Sequence, residues 1–91
     1  MTKVHLPTVL RQYAEGLRCV EVEGANIDEV LGALVAKHPD LKSQLLDGDS
    51  GLLKNYVNIF INDTNIRDRD DQDTLVSAGD EILIVPALAG G

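Results

Sequence analysis

The residues with the most evident chemistry are Gly90 and Gly91, the last of a 91-residue chain that closes on VPALAGG. Glycine has no Cβ. A Gly-Gly end therefore passes through a channel too narrow for other residues, and its backbone can lie against a ligand. The group it delivers is an α-carboxylate, ordinarily titrating at about 3.3–3.7 and so ionised at neutral pH. A carboxylate is a poor acyl donor. Attack on the α-phosphate of ATP turns it into an acyl-adenylate, from which sulfur or an amine displaces AMP. On this reading the chain is a substrate and its terminus the reactive group. Pro86 cannot donate to a sheet ladder and biases Val85 to an extended backbone. Residues 87–91 then reach at most roughly 16–18 Å beyond the last strand, enough to enter another protein's pocket. The plain alternative is an incidental tail, since chain ends are often loosely held.

The other chemistry-bearing residues point to less. Asp68, Asp70, Asp71 and Asp73 invite a calcium reading. An EF-hand loop starting at Asp68 needs Gly at its sixth position and Glu at its twelfth. Asp73 and Gly79 stand there instead, so the run reads as a solvated loop. His5 and His38 are the only histidines and fall on different elements. His38 reads as closing a helix C-terminus, where a cation is favoured. The single Cys19 permits no intramolecular disulfide and no four-cysteine metal or iron–sulfur site. No phosphate-binding glycine loop, Ser-His-Asp set or H-E-x-x-H motif occurs, so the chain reads as no enzyme and binds no metal or cofactor of its own.

The elements that must position the terminus follow from periodicity. Val4 and Leu6 alternate with Lys3 and His5 up to Pro7, which reads as a first strand. Thr8–Gly16 reads as a connection, and Arg18–Glu23 as a second strand. Ile27, Val30, Leu31, Leu34 and Val35 form one face of an amphipathic helix over Ile27–His38. Asn26 caps it, with Glu29 in the capping-box position, and Pro39 stops it. Leu41 and Leu45 suggest a further helical turn, and Asp47–Asn55 a loop. In the strand Tyr56–Asn62, Val57, Ile59 and Ile61 point one way and Asn58 and Phe60 the other. Asn62–Asn65 is turn chemistry, and Ile66 is placed in a short fourth strand. Ser77–Asp80 makes another turn before a last strand, Glu81–Val85. If Ile82 and Ile84 face the helix, then Leu83, Val85 and Phe60 share an open sheet face that would dock a partner. The expected architecture is α+β: a mixed sheet of four to five strands with one main helix packed on one face. Residues 1–86 form one domain, and 87–91 a flexible, extended tail.

Composition bounds the partners. With 15 Asp and Glu against 8 Lys and Arg, the chain is a poor fit for nucleic acid, whose phosphates require a basic face. It suits a partner with a basic docking surface. No apolar run approaches the ~18 residues of a spanning helix, and Lys3 and His5 fall inside a strand pattern, not a signal peptide. A cytoplasmic protein with no membrane partner is expected.

Taken together, "IDEVLGALVAKHP", "VNIFIND", "AGDEILIVP" and above all "ALAGG" resemble the ubiquitin-like sulfur-carrier proteins of the MoaD/ThiS family, over essentially the whole chain. "YVNIFINDTNIR" and "VPALAGG" look most like carriers of the CysO type. The resemblance implies a β-grasp fold and an activating enzyme of the MoeB/ThiF type, which uses ATP to adenylate Gly91 before sulfur transfer makes a thiocarboxylate. Leu88, Ala89 and Gly90 would form the tail that threads the partner's channel. Phe60, Leu83 and Val85 match partner-facing positions. The sulfur acceptor would be a cysteine synthase, with a zinc-dependent peptidase releasing the product. The molybdopterin synthase large subunit or a thiamin-pathway enzyme is the alternative. A protein modifier forming amide bonds through Gly91 shares the first step.

Overall fold

Short segments of alternating character pair into one mixed sheet in a computed structural model that describes residues 2–48, 53–54 and 56–86. The strands are β1 (Thr2–His5), β2 (Cys19–Val22), β3 (Val57–Ile61), β4 (Thr64–Asn65) and β5 (Glu81–Pro86), in the order β2-β1-β5-β3-β4. β1 and β5 lie parallel at the centre, and every other pairing is antiparallel. This is the α+β arrangement expected from the element order, and the β-grasp fold that the family resemblance implies.

The connection after β1 is more ordered than its sequence suggests. Pro7 stands as the N-cap of α1 (Thr8–Arg11), which runs into a 3₁₀ turn over Gln12–Ala14. Leu10 and Ala14 are buried beneath it. Four residues are too few for helical periodicity to show, so contact with the core, not local propensity, stabilises the turn.

The main helix, α2 (Ile27–Lys37), begins where expected. Asn26 Oδ1 accepts the Glu29 backbone N–H at 2.8 Å. Glu29 Oε1 reaches back to the N–H of Ala25 at 2.9 Å, one residue before the cap. Asp28 and Glu29 lie in the first turn and Lys37 in the last, matching the helix dipole. Ile27, Val30, Leu31 and Leu34 are buried, and Val35 is half-buried at the margin. The approach to the helix is tight at Gly24: a Cβ there would stand 2.7 Å from the Val30 nitrogen. His38 leaves helical geometry while its N–H still bonds the Leu34 carbonyl at 2.9 Å. Pro39–Leu41 then forms a 3₁₀ turn leading into α3 (Lys42–Leu45), which buries Leu41 and Leu45 completely.

β3 and β4 form a hairpin around Asn62 and Asp63, both at positive φ, which is the two-residue turn that suits twisted strands. Ile66 is not part of β4. Asn65 Oδ1 accepts the N–H of Arg67 at 2.9 Å, which curls the chain into a 3₁₀ turn over Ile66–Asp68. The acidic run likewise contains a 3₁₀ turn at Asp71–Asp73, anchored by Thr74, whose buried Oγ1 accepts from the Asp70 N–H at 3.1 Å. The core lies between α2 and the inner sheet face, where Val4, Val20, Val22, Ile59, Ile61, Ile82 and Ile84 are all buried.

Candidate functional site

The strand period of two puts alternate residues on the face that α2 does not cover. Pairing then fixes which of them meet. Phe60 lies directly opposite Leu83, and Asn58 opposite Val85. The parallel β1–β5 pairing places His5 beside Leu83, and the antiparallel β1–β2 pairing places Cys19 beside His5. On the far side Asn65 pairs with Phe60. A single row therefore crosses the sheet: Cys19, His5, Leu83, Phe60, Asn65. Leu83 is 45% exposed and Val85 37%, while Phe60 is half-buried between its neighbours. These three apolar residues occupy the β3–β5 half of the face. β5 ends at Pro86, beside Val57, so the chain leaves the sheet next to Val85 and Asn58.

The other half of the row is polar. His5 Nε2 and Glu81 Oε1 are 3.0 Å apart. Lys3 pairs across to Glu21 on one side and Glu81 on the other. At the start of β5, Asn62 donates from its side-chain amide to Asp80 Oδ1 at 2.8 Å and accepts the Glu81 N–H at 3.1 Å. The Ser77 N–H donates to Asp80 Oδ2 at 2.7 Å. The Ser77 bond first, and the Asn62 bond second, hold the Asp80 carboxyl below the usual aspartate range, against a small opposing effect of burial. Sequence reading places Phe60, Leu83 and Val85 together but misses that His5, Cys19 and Asn65 continue their row. Alternation alone shows each strand's outward residues. The order of strands, which makes neighbours of His5 and Leu83, has no local signal.

The remaining candidates are dispersed. Asp68, Asp70, Asp71 and Asp73 are all exposed, and the last three line an open hollow of about 490 Å³. Gln72 spans its rim, accepting the Leu53 N–H at 2.9 Å and donating to Asp28 Oδ1 at 3.1 Å. Among the described residues no three of His, Cys, Asp and Glu converge to hold a metal ion, and no helix is long and apolar enough to cross a membrane. Leu88, Ala89, Gly90 and Gly91 lie outside the described residues.

A sequence model described as the ThiS family matches residues 4–91. The sulfur carrier protein CysO of Mycobacterium tuberculosis is 35% identical over 89 residues, covering 97% of this chain and 96% of that protein. Small archaeal modifier protein 1 of Haloferax volcanii is 34% identical over 73 residues, 79% of this chain and 78% of that one. Among solved structures, the Amycolatopsis orientalis BexX/CysO complex contains a chain that superposes with a TM-score of 0.91 at 31% identity, over 100% of both chains.

Proposed function

We propose that this chain, which belongs to the ThiS family, is a sulfur carrier whose Gly91 is converted to a thiocarboxylate. In the first step a carboxylate oxygen of Gly91 attacks the α-phosphorus of ATP. A new acyl–oxygen–phosphorus link forms and pyrophosphate leaves. In the second, hydrosulfide attacks the activated carbonyl, AMP leaves with the bridging oxygen, and loss of a proton gives the thiocarboxylate. An activating enzyme of the MoeB/ThiF type supplies the nucleotide pocket. The chain supplies the group, the slender Leu88-Ala89-Gly90 approach, and a docking face. The single observation that best supports this is the apolar trio Phe60, Leu83 and Val85, left open on the sheet half from which the chain exits at Pro86. A partner seated there receives the tail at its own margin.

The kinship with a CysO carrier favours cysteine synthesis as the destination: a cysteine synthase accepts the sulfur, and a zinc-dependent peptidase frees the product. The kinship with a small archaeal modifier supports a second reading, in which a target lysine amine displaces AMP in place of hydrosulfide and an amide forms at Gly91. Delivery to a molybdopterin synthase large subunit or to thiamin synthesis differs only in the acceptor. Intact mass spectrometry separates carrier from modifier. Incubation with ATP, the activating enzyme and sulfide should replace one terminal oxygen by sulfur. A covalent adduct through Gly91 supports the modifier, and an unchanged terminus sinks both. A residue appended after Gly91, or Gly90→Val, should abolish adenylation while leaving the fold intact.

A further inference from the structure

The turn that leads into β3 is tied down where the chain leaves the sheet. The Val57 N–H bonds the Lys54 carbonyl at 3.0 Å, and Val57 is the residue that pairs with Pro86. Arg67 Nη2 holds the turn from the far side, donating to the Val57 carbonyl at 2.8 Å and to the Lys54 carbonyl at 3.3 Å. Tyr56, one residue before the strand, continues the outward alternation of Asn58 and Phe60 and is 49% exposed. The same turn carries the Lys54 ammonium over the Tyr56 ring, 5.7 Å from its centroid, within range of a cation–π contact. No carboxylate of the described residues pairs with Lys54. Lys54 also borders an open hollow of about 450 Å³ whose described lining includes Lys42 and no acidic residue. The opposite end of the outer face has the reverse balance. There Glu21, Asp63, Asp80 and Glu81 outnumber Lys3 and the Arg69 that lies near Asp80.

We propose that Lys54 and Tyr56 form the tail-side end of the docking face and seat an acidic residue of the activating enzyme, at the mouth of the channel that takes the tail. This rests on the carrier reading of Gly91 and adds to it the chemistry of the partner's surface. The chain leaves β5 at Pro86, next to Val57, so a protein that accepts the tail lies against this pair. Tyrosine supplies a rigid aromatic contact of the kind that dominates interfaces. A lysine is ordinarily costly to order at an interface, but this one is already held by the ring. With 15 Asp and Glu against 8 Lys and Arg, the chain as a whole repels an acidic surface, and this corner is where one is accommodated. The anion is a carboxylate of the partner and not a phosphate of ATP. An extended tail holds Gly91 roughly 16–18 Å beyond the last strand, out of reach of a lysine at the strand's end. The two ends of the face thus carry opposite charge, which favours the one orientation that points the tail at the channel.

The test is steady-state adenylation of the full-length chain by the activating enzyme, read as pyrophosphate release with the carrier varied at saturating ATP. Lys54→Glu should raise the KM for the carrier about tenfold and leave kcat and the KM for ATP unchanged. Lys54→Arg should stay within about twofold of the wild type, because a guanidinium also stacks on tyrosine and pairs with a carboxylate. Tyr56→Ala should raise the KM about five- to tenfold, and Tyr56→Phe much less. Added salt should raise the wild-type KM toward that of Lys54→Gln, a milder variant that keeps the test open if charge reversal disturbs the fold. Unaltered KM in Lys54→Glu and Tyr56→Ala, with the wild type adenylated normally, overturns this docking role and leaves the carrier reading standing. A higher KM for ATP or a lower kcat in Lys54→Glu overturns it as well, because Lys54 would then act on the nucleotide. A wild type that is not adenylated at all removes the carrier reading and this role together.

Discussion

The inner and outer faces of the sheet are made by the same strands, one residue out of step. Ile82 and Ile84 are buried, whereas Leu83 and Val85, no less apolar, remain more than a third exposed. The difference is the cover. α2 lies over one face, and none of the described residues covers the β3–β5 half of the other. Exposed single apolar residues are ordinary, but a paired Phe60–Leu83 beside Val85 is a patch, and a patch needs a use. Apolar content is thus divided between two faces, one buried in the core and one left open, which the proposed function assigns to a partner.

The widest separation between the faces should appear in stability. Ile59→Ala removes a fully buried side chain and should cost about 2–5 kcal/mol, read as a fall in the urea midpoint. Leu83→Ala, on the open face, should cost less than about 1 kcal/mol, the range of a cross-strand pair. Equal losses would mean that the faces do not differ. Next comes the seam that holds α2 in place. Gly24→Ala drives a methyl against the Val30 backbone and should destabilise by about 1–3 kcal/mol, because main chain cannot step aside as a flexible side chain can.

The outer face has the reverse signature. Phe60→Glu should weaken binding to the MoeB/ThiF-type enzyme about tenfold or more, by calorimetric titration, while moving stability by less than about 1 kcal/mol. Unaltered affinity would remove the docking role from this face. Smaller again, Asn26→Ala takes the cap from α2 and should cost about 1 kcal/mol without touching partner binding. A change in affinity there would show that the helix side also meets the partner.

Much of this division is legible in the order of the residues. The period of 3.6 over residues 27–35 and the period of two in β3 and β5 need only counting, and both also show which side faces inward. Three features are not legible in that way. The turn at Ile66 depends on a side-chain bond from Asn65, which competes with strand pairing and is not visible in hydrophobic pattern. The helical character of Thr8–Ala14 rests on burial of Leu10 and Ala14 by distant residues. The neighbours of Leu83 depend on β1 joining β5 from opposite ends of the chain, a non-local pairing that no window contains. The terminal glycines belong to neither group: they lie outside the described residues, and the role proposed for them rests on residue type and family likeness, not on the fold.

The smallest effect concerns the turn that delivers β5 to both faces. Asp80 is ionised below its usual range because its carboxylate accepts from the Ser77 N–H, then from the Asn62 amide. Its folded pKa is therefore lower than the unfolded value, ordinarily about 3.9 for aspartate. Between the two values the unfolded chain binds more protons, so stability rises with pH there. The contribution is fully present above the unfolded value and is lost as pH falls through the folded one. Asp80→Asn cannot titrate, so its urea midpoint should fall less than the wild type's between about pH 7 and pH 3. The difference should be slight, since an exposed carboxylate is screened by solvent and salt. It should leave affinity for the activating enzyme unchanged at neutral pH, because Asp80 lies in the turn before β5 and not in the row that contains Leu83. Identical acid losses in the two proteins would show that this turn is held by its backbone alone, and that the register of Leu83 and Val85 owes nothing to the charge.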